Sequence, residues 1–122
     1  MDELIERLVA NVGIDKATAE KAIGIILGFL KSEGPSDKVQ AIIDALPGAE
    51  AAIKAGEGVS GGLGGMLGGG IMAVGSKLMS AGLGMGEITS VSREILDYAR
   101  SKIGSEAVDE IVASVPGLSQ FV

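Results

Sequence analysis

The chain contains an internal duplication, because residues 9–48 align without a gap with residues 78–117 at a constant offset of 69. Nine aligned pairs are identical, and all nine are glycine, proline, serine or apolar residues: Gly13/Gly82, Ile26/Ile95, Leu27/Leu96, Ser32/Ser101, Ser36/Ser105, Val39/Val108, Ile42/Ile111, Pro47/Pro116 and Gly48/Gly117. Such residues specify turns, helix starts and cores. The duplication therefore constrains the fold, and it repeats no general base and no metal ligand.

Apolar residues recur at helical spacing in both copies, and glycine or proline separates the segments. In the first copy the spacing predicts helices over residues 2–12, 15–32, 36–46 and 49–55. In the second copy it predicts helices over residues 71–81, 87–103 and 105–115. Aromatic residues typical of strands are scarce, since the chain has two Phe, one Tyr and no Trp.

Three polar side chains are expected to cap helices. Asp15, Ser36 and Ser105 stand at predicted helix starts, where a side-chain oxygen can accept hydrogen bonds from free N–H groups. Asp37 and Glu106 follow the two serines, and a carboxylate is favourable at the positive end of a helix. Capping is favoured over a nucleophilic role for the serines, because no base is available to activate them.

A chain of 122 residues is one domain by size, and a duplicated unit of about 50 residues would be marginal alone. We therefore predict a single all-α domain over residues 1–122, in which two tandem repeats of three to four helices share one core. The repeats span residues 1–55 and 71–122, and a glycine-rich connector, residues 56–70, joins them.

The two copies differ in the second helix. Residues 22–30 contain no polar side chain, and Gly24 and Gly28 stand where the second copy has Arg93 and Asp97. A helix that is apolar all round must be buried on more than one side. This helix is therefore expected at the centre of the fold or of an interface, and its counterpart at the surface.

The connector allows three interpretations. Its glycines favour a flexible linker, whereas their spacing at four residues beside an apolar stripe favours a helix that packs closely on another backbone. Residues 58–76 also form a run of 19 residues without a charge, which is long enough to span a bilayer but rich in glycine. The possible interaction surface predicted from these patterns comprises Gly24, Gly28, Gly61, Leu63, Gly65, Leu67, Gly69 and Ile71.

Methionines are concentrated in the connector and the helix after it. Met66, Met72, Met79 and Met85 are flexible side chains that fill irregular gaps in cores, or that line the grooves of promiscuous binding proteins. We expect the core role for these four.

The composition removes most catalytic chemistry. The chain has no Cys and no His, so the thiolate nucleophile, the commonest general base and the commonest zinc ligand are all missing. Five of the sixteen carboxylates lie four positions from a basic residue, as on an ordinary solvated helix face: Glu3/Arg7, Lys16/Glu20, Glu50/Lys54, Arg93/Asp97 and Lys102/Glu106. Glu106, Asp109 and Glu110 could bind a hard cation only weakly. We predict no enzyme activity, no cofactor and no metal site.

The net charge of −6 is spread over both copies without a basic stripe, so binding to nucleic acid is not expected. The N-terminus reads Met1-Asp2-Glu3-Leu4, which is acidic where a secretory signal carries positive charge. A cytoplasmic location is therefore expected.

The turns Leu46-Pro47-Gly48 and Val115-Pro116-Gly117 flank the glycine run of residues 61–70. In these turns and this run the chain resembles small bacterial families of unknown function, the VcgC/VcgE-like proteins. Members of such families are often exported, but no export signal is recognised in this sequence. The resemblance implies no activity and no cofactor.

The sequence favours a non-enzymatic, all-helical interaction or scaffold protein that associates with itself or with another protein. The motivation is apolar surface in excess of what a small bundle can hide, together with the missing catalytic residue types. The alternative is a protein that binds lipid, a membrane surface or a small apolar ligand.

Overall fold

The first helix is amphipathic and ends at a glycine. In a computed structural model, which describes residues 2–57 and 71–115, α1 spans Asp2–Val12 and buries Leu4 and Leu8 completely. Gly13 follows at a φ of +85°, a left-handed conformation that favours glycine, and its N–H donates to the Leu8 carbonyl. The predicted end of this helix is confirmed.

Six more helices follow within the described residues: α2 (Lys16–Glu33), α3 (Ser36–Ala45), α4 (Ala49–Glu57), α5 (Ile71–Ser80), α6 (Met85–Ile103) and α7 (Ser105–Ser114). The described ranges contain no strand, so the all-α prediction is confirmed. Predicted and observed bounds agree to within two residues. Helix α6 begins before its predicted start at Glu87, whose Oε1 accepts the N–H of Gly84 at 2.8 Å and so satisfies a donor ahead of the first turn.

The predicted side-chain caps are wrong in detail. Asp15 occupies the cap position of α2, but only its backbone carbonyl takes part, accepting the N–H of Ala19 at 2.8 Å. Ser36 and Ser105 are the first helical residues rather than caps. The residues before them, Pro35 and Gly104, take the cap position, and the carbonyl of Gly104 accepts the first helical hydrogen bond.

Helix α2 is the centre of the bundle. It contacts α1, α3, α4, α5 and α6, and between Ala22 and Leu30 every residue except Gly28 is buried. This confirms the burial on several sides that its uniformly apolar sequence predicts. Helix α6 is instead amphipathic, with Ile88, Val91 and Ile95 buried on one face.

All seven helices contribute side chains to one cluster of buried apolar residues. Its largest fully buried members come from both ends of the chain: Leu4, Leu8, Ile23, Ile26, Leu27, Leu30, Ile42, Leu46, Leu78, Ile88, Ile95 and Ile111. Aliphatic side chains therefore fill the interior, as the shortage of aromatic residues predicts.

Candidate interaction surface

Gly24 and Gly28, the first two residues of the predicted interaction surface, lie under α4. A Cβ atom added at Gly24 would lie 1.7 Å from the carbonyl oxygen of Ala52, and one at Gly28 would lie 3.6 Å from Cγ2 of Ile53. The glycine face thus permits the close backbone approach expected of it, and the approaching backbone belongs to the same chain. In this arrangement the face is covered and does not offer a surface to a partner.

The other predicted interaction residues are not described. Gly61, Leu63, Gly65, Leu67 and Gly69 lie outside the described residues, as do the connector residues around them. Ile71 is the first residue of α5, and its side chain is also outside the described part. Their role in an interaction stays a prediction.

Among the side chains whose exposure the structure describes, the exposed large apolar ones are two methionines. Met79, in the last turn of α5, is 50% exposed, and Met85, the first residue of α6, is 68% exposed. For these two residues the expected core role is wrong. Met79 follows the buried Leu78 and lies beyond the stripe that Val74 and Leu78 turn towards the core, and Met85 precedes the first buried residue of its helix.

The two methionines flank a short connection whose backbone is well defined. The N–H of Gly82, at a φ of +107°, donates to the carbonyl of Met79 at 3.0 Å, and Leu83 is buried beneath the connection. A Cβ atom added at Gly82 or at Gly86 would meet no atom within 4 Å. We name these four exposed residues, Met79, Gly82, Met85 and Gly86, the methionine corner.

A polar seam joins α1 to α6. Glu94 lies between two side chains of α1, with its Oε2 3.1 Å from Nη2 of Arg7 and its Oε1 accepting a hydrogen bond from Nδ2 of Asn11 at 3.3 Å. The hydroxyl of Tyr98 donates to Oε2 of Glu3 at 3.3 Å, and the Arg7 guanidinium carbon lies 5.8 Å from the centre of the Tyr98 ring. Glu94 Oε2 accepts no aligned hydrogen bond, so its contact with Arg7 is electrostatic.

Charged side chains also join α7 to its neighbours. Arg100 of α6 donates to Oδ1 of Asp109 in α7 at 3.0 Å and lies 3.7 Å from Oδ1 of Asp97. Lys38 of α3 pairs with Glu110 of α7. The hydrogen bond and the negative charge of Glu110 raise the pKa of Lys38 above its ordinary value.

The predicted pairs within single helices do not form. Glu3/Arg7, Lys16/Glu20, Glu50/Lys54, Arg93/Asp97 and Lys102/Glu106 all lie in the described ranges, and no salt bridge joins any of these pairs there. Arg7 reaches Glu94 of another helix instead, whereas Asp97 pairs with Arg100 three positions further along the same helix. Side chains facing another helix find a partner of opposite charge there, which a spacing rule along one helix does not capture.

The salt bridges of α7 also bear on the weak cation site predicted for Glu106, Asp109 and Glu110. Asp109 and Glu110 each have an intrachain cation, Arg100 and Lys38, so their charge is already compensated. Across the part of the chain that the structure describes, no group of three or more acidic side chains is arranged to hold a metal ion. None of the helices in that part is long and apolar enough to cross a membrane.

No protein-family model matches the chain, and no curated protein or solved structure is significantly similar to it. The methionine corner is thus the candidate site that the fold itself presents, with the connector residues as a further candidate from the sequence.

Proposed function

We propose that this protein is a non-enzymatic helical interaction protein, built from two tandem repeats that share one core. The repeats, residues 1–55 and 71–122, are joined by the connector of residues 56–70. Aligned positions with the same burial support this organisation, for example Ile26/Ile95, Val39/Val108 and Ile42/Ile111, which are all buried. So does the helix pairing, because α1 packs on α6 while α5 packs on α2.

We further propose that the protein associates with itself through the methionine corner. The observation that carries this proposal is the exposure of Met79 and Met85 in a structure whose other described large apolar side chains are buried or partly buried. Covering exposed apolar side chains is favourable, so these two methionines can contribute to an interface. A symmetric pair of corners would place the same surface on both protomers.

Among the described side chains, Met79 and Met85 are the exposed large apolar residues that could supply the apolar surface expected from the sequence. The helices hide almost all of their large apolar side chains in the shared core. The remaining candidates, Leu63 and Leu67, belong to the connector and enter the proposal on sequence grounds alone.

An interaction role is also supported by the fate of the charged side chains. Three carboxylates each pair with a basic side chain of another helix, and the pairs connect those helices: Glu94, Asp109 and Glu110. A catalytic acid or base is commonly recognised by a perturbed pKa within a cleft. The raised pKa of Lys38 arises from its interhelical ion pair with Glu110.

Sedimentation velocity over a concentration series tests self-association. We expect the wild type to form a dimer or a larger oligomer, and the double variant Met79→Ser/Met85→Ser to associate at least about tenfold more weakly, because each covered methionine contributes about 1 kcal/mol. The matched control is Ala41→Ser/Ala113→Ser, which changes two exposed side chains elsewhere. A wild type that stays monomeric at high micromolar concentration would contradict the proposal.

A second pair of substitutions separates the corner from the connector. If Leu63→Ser/Leu67→Ser weakens the association while the methionine variant leaves it unchanged, the contact belongs to the connector. Equal losses in both variants would indicate one continuous surface.

Lipid binding remains the alternative function, and the same exposed methionines favour it, because they could enter the boundary between lipid headgroups and acyl chains. Co-sedimentation with phosphatidylcholine vesicles tests this alternative. Binding by the wild type and loss of binding in Met79→Ser/Met85→Ser would support it. Equal absence of binding in both proteins would end it.

A further inference from the structure

The methionine corner also has a chemical property that the proposed function does not use. Both of its thioether sulfurs belong to side chains that are at least half exposed, at 50% for Met79 and 68% for Met85. The chain contains no cysteine, so no thiol competes with these sulfurs for an oxidant.

We propose that Met79 and Met85 of the unassociated chain form an oxidation site, and that a peroxide acting there draws the protein out of its self-associated state. The effect on association rests on the proposed function, whereas the modification of the two side chains does not. A methionine sulfoxide is polar where the thioether is apolar, so oxidation removes the apolar character that the corner would bring to an interface.

The reaction is a transfer of one oxygen atom. A lone pair of the thioether sulfur attacks one oxygen of hydrogen peroxide, and the S–O bond forms as the O–O bond breaks. The departing hydroxide takes up the proton of the new sulfur-bound hydroxyl group and leaves as water. The sulfur is oxidised and the peroxide is reduced, so no other reactant is needed. Methionine sulfoxide reductases reverse the modification in cells.

The fold is expected to survive this change. The side chains next to the corner that hold the connection in place are Leu78, which is fully buried, and Leu83, which is 3% exposed, and neither carries sulfur. The hydrogen bond from Gly82 to the carbonyl of Met79 involves backbone atoms alone. The new oxygens therefore point into water and leave the core intact.

The experiment treats the full chain with hydrogen peroxide and follows three readouts. Peptide mass spectrometry locates each added oxygen, circular dichroism reports the helical fold, and sedimentation velocity reports association. The matched variant is Met79→Leu/Met85→Leu, which keeps an apolar corner without thioethers there and retains Met66 and Met72. Both proteins then receive methionine sulfoxide reductase with its reductant.

We expect oxygen on Met79 and Met85 in the wild type, an unchanged helical spectrum, and an association at least about tenfold weaker that the reductase restores. The leucine variant should associate before and after peroxide alike. Equal weakening in the leucine variant would overturn the assignment, as would peroxide treatment that leaves Met79 and Met85 unmodified. If the untreated wild type is monomeric, the proposed function fails, while the mass spectra still decide whether the corner is the oxidation site.

Discussion

Helices α2 and α6 occupy aligned positions in residues 9–48 and 78–117, yet a further helix covers one face of α2 while the aligned face of α6 exposes charged side chains. On α2, Gly24 is buried because α4 lies against its backbone. On α6, the aligned Arg93 is exposed, and so is Asp97, which aligns with Gly28. Glycine at these two positions lets a further helix pack on α2, whereas Arg93 and Asp97 place charged side chains at the aligned positions of α6.

The two helices also hold their neighbours by different forces. Helix α6 meets α1 through Glu94 and Tyr98, which make polar contacts with that helix. At the position aligned with Glu94, α2 has Ile25, which is 5% exposed and belongs to the core. Packing of apolar surface thus dominates around α2, and charged pairs add orientation and register around α6.

Gly24→Ala should have the largest effect on the free energy of unfolding, because it adds a side chain where α4 packs on the backbone of α2. The new methyl group would lie 1.7 Å from the carbonyl oxygen of Ala52, so α4 has to move away from α2. We expect a loss of about 3 kcal/mol in the free energy of unfolding, as for severe overpacking. Urea denaturation followed by circular dichroism measures it.

The control for this substitution is Gly75→Ala in the middle of α5. A Cβ atom there meets nothing within 4 Å, so alanine should raise the free energy of unfolding by about 0.5–1 kcal/mol through its better helix propensity. Similar free energies for the two variants would show that α4 does not lie closely on Gly24.

Arg7→Met should have the next largest effect, because it leaves the partly buried Glu94 without its cation. We expect a loss of about 1–2 kcal/mol. Glu94→Ile gives α6 the side chain of the aligned Ile25, and the double variant should be more stable than the sum of the two single losses implies. A double-mutant cycle from urea denaturation measures the coupling, and a coupling of zero would mean that Arg7 and Glu94 act independently.

Arg100→Ala should have a smaller effect, since the Arg100 side chain is 39% exposed and its partners Asp97 and Asp109 are exposed too. We expect a loss of about 0.5 kcal/mol at low salt, which falls further in about 1 M sodium chloride because the charges are screened. Denaturation at the two salt concentrations measures this. A loss that is the same at both would assign the role of Arg100 to packing of its aliphatic stem.

The smallest effect is expected from the pH dependence of the Lys38–Glu110 pair. Because the pKa of Lys38 is higher in the folded than in the unfolded protein, the pair stabilises the fold fully below the ordinary lysine pKa of about 10.4. This contribution is lost as the pH rises through the folded pKa. The difference in free energy of unfolding between wild type and Lys38→Gln should therefore stay constant up to about pH 10 and shrink as the pH rises further. A difference that grows with pH would reverse the assignment.

Local features of the sequence predict the helices well, because glycine and proline stop them and the apolar spacing is regular. Gly13 and the Gly34-Pro35 pair end α1 and α2 as expected. The small residues at Gly24 and Gly28 also indicate a close approach of two backbones. Which helix approaches depends on tertiary packing, and α4 is not identifiable from that spacing alone.

The candidate site is less accessible to prediction. Met79 and Met85 belong to a run of apolar residues, and only the orientation of the α5–α6 connection decides that they face solvent. Arg7 and Glu94 are distant in sequence, so a rule based on neighbours within one helix pairs Arg7 with Glu3 instead. Contacts that join distant segments arise from the fold as a whole.

The contact between Gly24 and α4 has a consequence for how far the two aligned segments can vary. Once a fourth helix rests on the bare backbone at Gly24, that site tolerates a single residue type, whereas the site of Arg93 accepts many. A chimera with residues 78–117 in both places would carry arginine where α4 packs on Gly24, so α4 could not pack there. The two aligned segments are therefore not interchangeable.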